Sequence, residues 1–73
     1  MPKLKIVSGK KLIAFLETQG FVVTRQVGSH KVLVRKEMTV VVPLHGGKDL
    51  GRGLISAILR EANIEREVYE RSV

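Results

Sequence analysis

The stretch "FVVTRQVGSHKVLVRKEMTVVVP" (residues 21–43) decides the fold. It holds three short segments rich in β-branched residues, 21–26, 30–35 and 38–43, separated by "VGS" and "KE", and this spacing predicts an antiparallel meander. In the second segment His30, Val32 and Val34 share one face while Lys31, Leu33 and Arg35 share the other. Such alternation fits a sheet covered on one side only. If the valine face lies under the helices, His30 sits at its rim, where water still reaches. Pro43 closes the third strand, because proline has no N–H to give to a ladder.

Helices are predicted on both sides of this meander. Ser8 followed by "GKKLIAFLETQ" reads as an N-cap and an amphipathic helix, with Leu12, Phe15, Leu16 and Gln19 at spacings of three and four. Gly20 ends it in a left-handed cap, and Phe21 supplies the apolar contact that accompanies such caps. Lys10 and Lys11 occupy the first turn, where the helix dipole disfavours cations, so helix stability does not account for them and a phosphate would. After the strands, "LISAILREA" puts Leu54, Ile55, Ile58, Leu59 and Ala62 on one stripe, and Asn63 ends that helix. The remainder, "IEREVYERSV", has weaker helical character, with Val68 and Tyr69 as docking residues and a frayed end. The order is helix, three-stranded antiparallel sheet, helix, then a short helical tail. That is an α+β arrangement like a double-stranded-RNA-binding domain, and residues 1–73 read as a single domain.

Seventy-three residues bury only ~60% of the surface the unfolded chain exposes, so the core is thin. There is no cysteine, hence no disulfide framework and no thiolate metal site, which suits a reducing cytoplasm. No apolar run approaches a bilayer span and "MPKLKIV" lacks the apolar core of a secretory signal, so no membrane partner is expected. The charge of +6 is uneven: residues 1–60 carry eleven Lys/Arg against three acids, residues 61–73 two against four. A body this basic draws polyanions, and nucleic acid is favoured over a solubilising charge with no specific ligand; an acidic protein partner would meet the same field.

Chemistry is confined to a few residues. His30 and His45 are the histidines, the residue type whose ordinary pKa allows both protonation states near neutrality. With no cysteine and only Asp49 close in sequence they make a poor metal ligand set, so no metal is expected, nor any other cofactor. Ser29 is a weak nucleophile candidate, because a residue adjacent to His30 on a strand faces away from it. The segment "LHGGKDLGRG" carries four glycines, with Lys48 and Arg52, ahead of a helix. It reads either as an anion site or as an ordinary glycine-rich loop, and its spacing is neither a Walker loop nor a dinucleotide fingerprint. Aromatic stacking residues are scarce: Phe15 and Phe21 read as core and Tyr69 alone as free, which argues against a single-strand reader built on aromatic platforms.

"SGKKLIAFLETQGFVVTRQVGSHKVLV" and "TVVVPLHGGKDLGRGLISAILREANI" together resemble the HicA family of toxin-antitoxin systems over nearly the whole chain. "GSH" after an arginine-bearing strand is the sharpest element, and "VPLH" the second. The resemblance implies a small cytoplasmic toxin, a ribosome-independent mRNA interferase held inactive by a HicB-like antitoxin, with mRNA as substrate and no small-molecule cofactor. It carries the catalytic histidine onto His30, which would take the 2′-hydroxyl proton of RNA. Gly28 and Ser29 would support the site, His45 would donate to the leaving group or else contact phosphate or serve the structure, and Lys10, Lys11, Lys48 and Arg52 would hold the backbone. Two other readings stay open, a noncatalytic RNA-binding module and an interaction protein whose basic face meets an acidic antitoxin.

Overall fold

Residues 22–43 form the meander. Strands β1 (Val22–Val27), β2 (His30–Arg35) and β3 (Met38–Pro43) pair antiparallel in the order β1-β2-β3. This is a computed structural model, and it describes residues 4–73. Helices α1 (Gly9–Thr18) and α2 (Arg52–Glu61) pack on one face of the sheet against β3, and α3 (Arg66–Ser72) follows. The architecture is α+β and compatible with a double-stranded-RNA-binding-like fold. No helix among the described residues is long and apolar enough to cross a membrane.

The register decides which side of the sheet is buried. Leu33 pairs with Val40 and with Val23, and Lys31 pairs with Val42. Leu33, Val40 and Val42 are buried, so the covered face is the one carrying Lys31, Leu33 and Arg35. His30, Val32 and Val34 point to the open face, opposite to the arrangement in which the valines lie under the helices. The physical reason is that β3 offers Val40 and Val42 inward, and antiparallel pairing puts Leu33 and Lys31 beside them. A shift in register between Val23 and Arg25 re-aims the second half of β1, so that Val27, opposite His30, is exposed on the same open face as Val22, opposite Val34.

Each main helix ends in the same device. At α1 the Phe21 N–H donates to the Leu16 carbonyl (3.1 Å) and the Gly20 N–H to Glu17 (3.1 Å), with Gly20 at φ +96°. At α2 the Ile64 N–H donates to Leu59 (2.9 Å) and the Asn63 N–H to Arg60 (3.1 Å), with Asn63 at φ +57°. Both are Schellman caps, one built on glycine and one on asparagine. Arg35 ties the two together. One of its terminal nitrogens donates to the Gln19 carbonyl (2.7 Å) and the other to the Ala62 carbonyl (3.0 Å), while the guanidinium lies 4.7 Å from the Phe21 ring centre. A cation at the negative ends of two helix dipoles is favourable at both.

The helix stripes differ from expectation in detail. In α1 the buried set is Leu12, Ile13, Phe15 and Leu16, while Gln19 is the half-buried C-cap residue. In α2 Leu54 is 41% exposed, because it falls one residue off the line of Ile55, Ile58, Leu59 and Ala62. Ser8 caps α1 as predicted, its hydroxyl accepting from the Lys11 N–H at 3.3 Å.

The tail is neither frayed nor carrying a free aromatic. Tyr69 is fully buried, with its ring edge-on to Phe15 at 5.4 Å and its hydroxyl donating to the Lys5 carbonyl at 2.7 Å. Burial, and then the neighbouring Glu70 carboxylate, push its phenol above its ordinary value of 10.0. Lys5 returns the connection, its ammonium donating to the carbonyls of Glu70 (2.9 Å) and Val73 (2.8 Å). A thin core recruits the tail this way, so Tyr69 serves packing and cannot stack on a base.

Candidate active site

His30 opens β2, paired with Val27 on one side and Pro43 on the other, and its side chain is exposed. The turn before it is made by Gly28 at φ +59°, with nothing within 4 Å of the place a Cβ would occupy. The glycine is therefore required by backbone conformation rather than by crowding. Ser29 contributes its carbonyl, which accepts from the Leu44 N–H at 2.6 Å. That bond joins the β1–β2 turn to the segment after β3 and brings His45 to His30. The two rings meet edge to face, centroids 6.4 Å apart and planes at 85°.

Beyond His45 the chain turns sharply. The His45 carbonyl accepts from the Lys48 N–H at 3.0 Å, and the two central residues, Gly46 (φ +57°) and Gly47 (φ +88°), are both left-handed. Glycine adopts both angles at no steric cost. The segment after it pairs with the N-terminal residues: the Leu50 N–H donates to the Val7 carbonyl (2.9 Å), and Ser8 bridges Asp49. Gly9 then packs directly on β3, for a Cβ there would overlap the Pro43 carbonyl oxygen and lie 3.2 Å from the Leu44 side chain. By this contact α1 delivers Lys10 to the same side as His45. Ser8, Lys10, Ile13, Lys31, Leu44 and His45 are among the residues lining a cleft of about 320 Å³ there.

The candidate cations do not all converge. Lys10 lines the cleft beside His45, whereas Lys11 lines a separate groove with Phe15, Thr18 and Val73. Successive helical residues diverge by 100°, so a lysine pair in one turn cannot serve one site equally. The Arg52 Nε donates to the Leu4 carbonyl at 3.3 Å, which engages that side chain with the N-terminal segment. Lys48 is exposed, and its backbone closes the glycine turn. Sequence reasoning missed Gly9 and Lys31. Gly9 carries no signal beyond its type, but Lys31 has one: a charge between Leu33 and the strand start, at a position whose partner proves to be Val42. Among the described residues no three His, Cys, Asp or Glu side chains gather into a group able to hold a metal.

A family model described as the HicA toxin of bacterial toxin-antitoxin systems matches residues 9–64. The chain belongs to the HicA toxin family. The match takes in α1, the sheet and α2, and with them His30, His45 and every candidate cation; α3 lies beyond it. HicA membership makes the chain the toxin of a toxin-antitoxin pair, so an antitoxin is its partner. A search of curated proteins gave no match.

Proposed function

We propose that this HicA toxin is a single-domain, ribosome-independent mRNA interferase, an endoribonuclease acting in the cytoplasm and neutralised by a HicB-like antitoxin. The edge-to-face contact of two exposed imidazoles at the end of the sheet supports this most directly. His30 takes the proton of a ribose 2′-hydroxyl, and the resulting oxyanion attacks the adjacent phosphorus. The P–O5′ bond breaks, and His45, entering as imidazolium, gives its proton to the departing 5′-oxygen. One strand becomes two, the upstream piece ending in a 2′,3′-cyclic phosphate and the downstream piece beginning with a 5′-hydroxyl. No metal takes part, since the proton transfers are complete with two imidazoles. The exposed backbone of Gly46 and Gly47 holds the charged phosphate as it passes through five-coordination, and Lys10 holds the strand beside it. Lys48, Lys11 and Arg52 add positive potential along the approach, Gly28 and Ser29 hold His30 in place, and the antitoxin meets the same basic surface.

The test is cleavage of a long mRNA by purified protein in excess chelator. The parent is to cut, leave the cyclic phosphate or its hydrolysis product, and spare a strand with a 2′-deoxy sugar at the cut site. Binding without cleavage would instead make the chain a noncatalytic RNA-binding module. Activity lost in chelator and restored by magnesium would replace His30 with a metal-activated water.

A further inference from the structure

Two cations stand at inward register positions of the central strand, and only one of them has a structural occupation. Arg35 is held by two helix-end carbonyls and an aromatic ring. Lys31 sits four residues earlier in the same inward row, paired with Val42 and Gln26 and next to Leu33. A strand pattern asks for an apolar residue there. Inward charges do protect sheet edges from pairing with other chains, but β2 is the middle strand and has no free edge. The Lys31 side chain is half-buried, and among the described residues its ammonium meets no carboxylate and no hydrogen-bond acceptor. Its charge thus has no structural partner, and an apolar side chain would cover the same stem length as well. Local rules broken without structural compensation mark functional positions.

The surroundings of Lys31 indicate what it awaits. Its side chain lines the cleft with Lys10 from α1 and His45 from the glycine turn, and no carboxylate contributes to the lining. The imidazole of His45 therefore faces His30 on one side and this doubly cationic cleft on the other. We infer that Lys31 and Lys10 form a binding subsite for one RNA phosphodiester, the neighbour of the phosphate that is attacked. This rests on the ribonuclease reading only for the word "attacked", because the subsite is an RNA-binding feature in its own right. Lys31 is a substrate-binding residue that places the strand so that the next linkage falls between the two histidines.

The experiment uses the full chain carrying His30→Ala, so that RNA stays intact, and compares it with the same chain carrying Lys31→Met in addition. Affinity for a single-stranded RNA of about a dozen nucleotides is measured across salt concentration. One lost phosphate contact lowers the slope of log affinity against log salt by about 0.7, which between about 50 mM and about 500 mM amounts to a roughly fivefold change in the deficit. Neutral methylphosphonate linkages are then placed one at a time. At one linkage the RNA is to lose clearly more with Lys31 present than with Lys31→Met, where only the Lys10 contact is left to lose. The melting temperature is to stay level or rise in Lys31→Met, and Lys31→Arg is to restore binding. An unchanged salt slope, methylphosphonate losses that add to that of Lys31→Met at every linkage, or a Lys31→Met chain that melts lower would each overturn the subsite. RNA bound through Lys31 by a chain whose parent never cuts would remove the ribonuclease reading and leave the subsite standing.

Discussion

Replacing Gly9 by alanine adds one methyl group to the first turn of α1, where helix propensity alone favours the change by up to ~1 kcal/mol. The tertiary structure reverses the sign. The new Cβ would stand well inside contact distance of the Pro43 carbonyl oxygen and 3.2 Å from a Leu44 methyl. A flexible side chain could yield, but this oxygen belongs to the last residue of β3, whose register partner is His30, and the next N–H is bonded to Ser29. The helix start must therefore move off the sheet. Because backbone and not a side-chain end must yield, the overpacking falls in the upper part of the usual range, about 2–3 kcal/mol, and less a propensity gain of ~1 kcal/mol it leaves Gly9→Ala less stable by about 1–2 kcal/mol. For a domain of this size that lowers the melting temperature by roughly 5–15 °C. Gly53→Ala is the internal comparison: it lies in the first turn of α2 with nothing within 4 Å of its Cβ position, so the same change is to raise the melting temperature by a few degrees. Thermal unfolding followed by far-ultraviolet circular dichroism reads both. If Gly9→Ala melted at or above the parent, α1 would not be seated on Pro43 and the placing of Lys10 beside His45 would lose its basis.

His30→Ala should reduce RNA cleavage by roughly 10²–10⁴-fold while leaving the melting temperature within a degree or two, since the side chain is exposed; a cut rate within a few-fold of the parent would make His30 structural. Arg35→Met removes two charge-assisted hydrogen bonds to helix-end carbonyls and a ring contact, and a discount for its partial exposure leaves a loss of about 2–4 kcal/mol, measurable by urea unfolding; a loss below ~1 kcal/mol would mean the two helix ends hold without it. Tyr69→Phe forfeits the hydrogen bond to Lys5, about 1 kcal/mol at neutral pH. Its phenol is raised in the folded state, so the native protein favours the protonated form. That contribution is complete below pH 10 and is lost as pH rises through the folded value. Denaturant unfolding at pH 9 and pH 11 should therefore show a smaller alkaline decline for Tyr69→Phe than for the parent, and equal declines would contradict the burial of the hydroxyl.

The local signals in the chain are strong enough that the elements follow from them. Ser8, Gly20 and Asn63 each act where their own chemistry requires, one as an oxygen cap and two as left-handed stops. Pro43 ends β3 because it has no N–H to donate, and β-branched runs at short spacing leave a meander as their pairing. His30 is legible for a related reason, since a histidine after Gly-Ser at a strand start answers no local need, and the family resemblance supplies its proposed role. What the chain could not disclose is which face of an alternating strand lies inward. Lys31-Leu33-Arg35 and His30-Val32-Val34 are both plausible rows until β3 is paired, and the more apolar row turned out to be the open one. The charged row goes inside because Arg35 reaches out to two helix ends and Lys31 opens into a cleft, neither of which exists before the helices dock. The same holds for Lys10 against Lys11, for Arg52 spent on Leu4, and for Tyr69 drawn under the N-terminal segment. Propensity and capping act over four or five residues and are written in order along the chain. Partnership between residues tens of positions apart is set by shape and by which polar groups remain unsatisfied once the layers close, and only the folded molecule decides it.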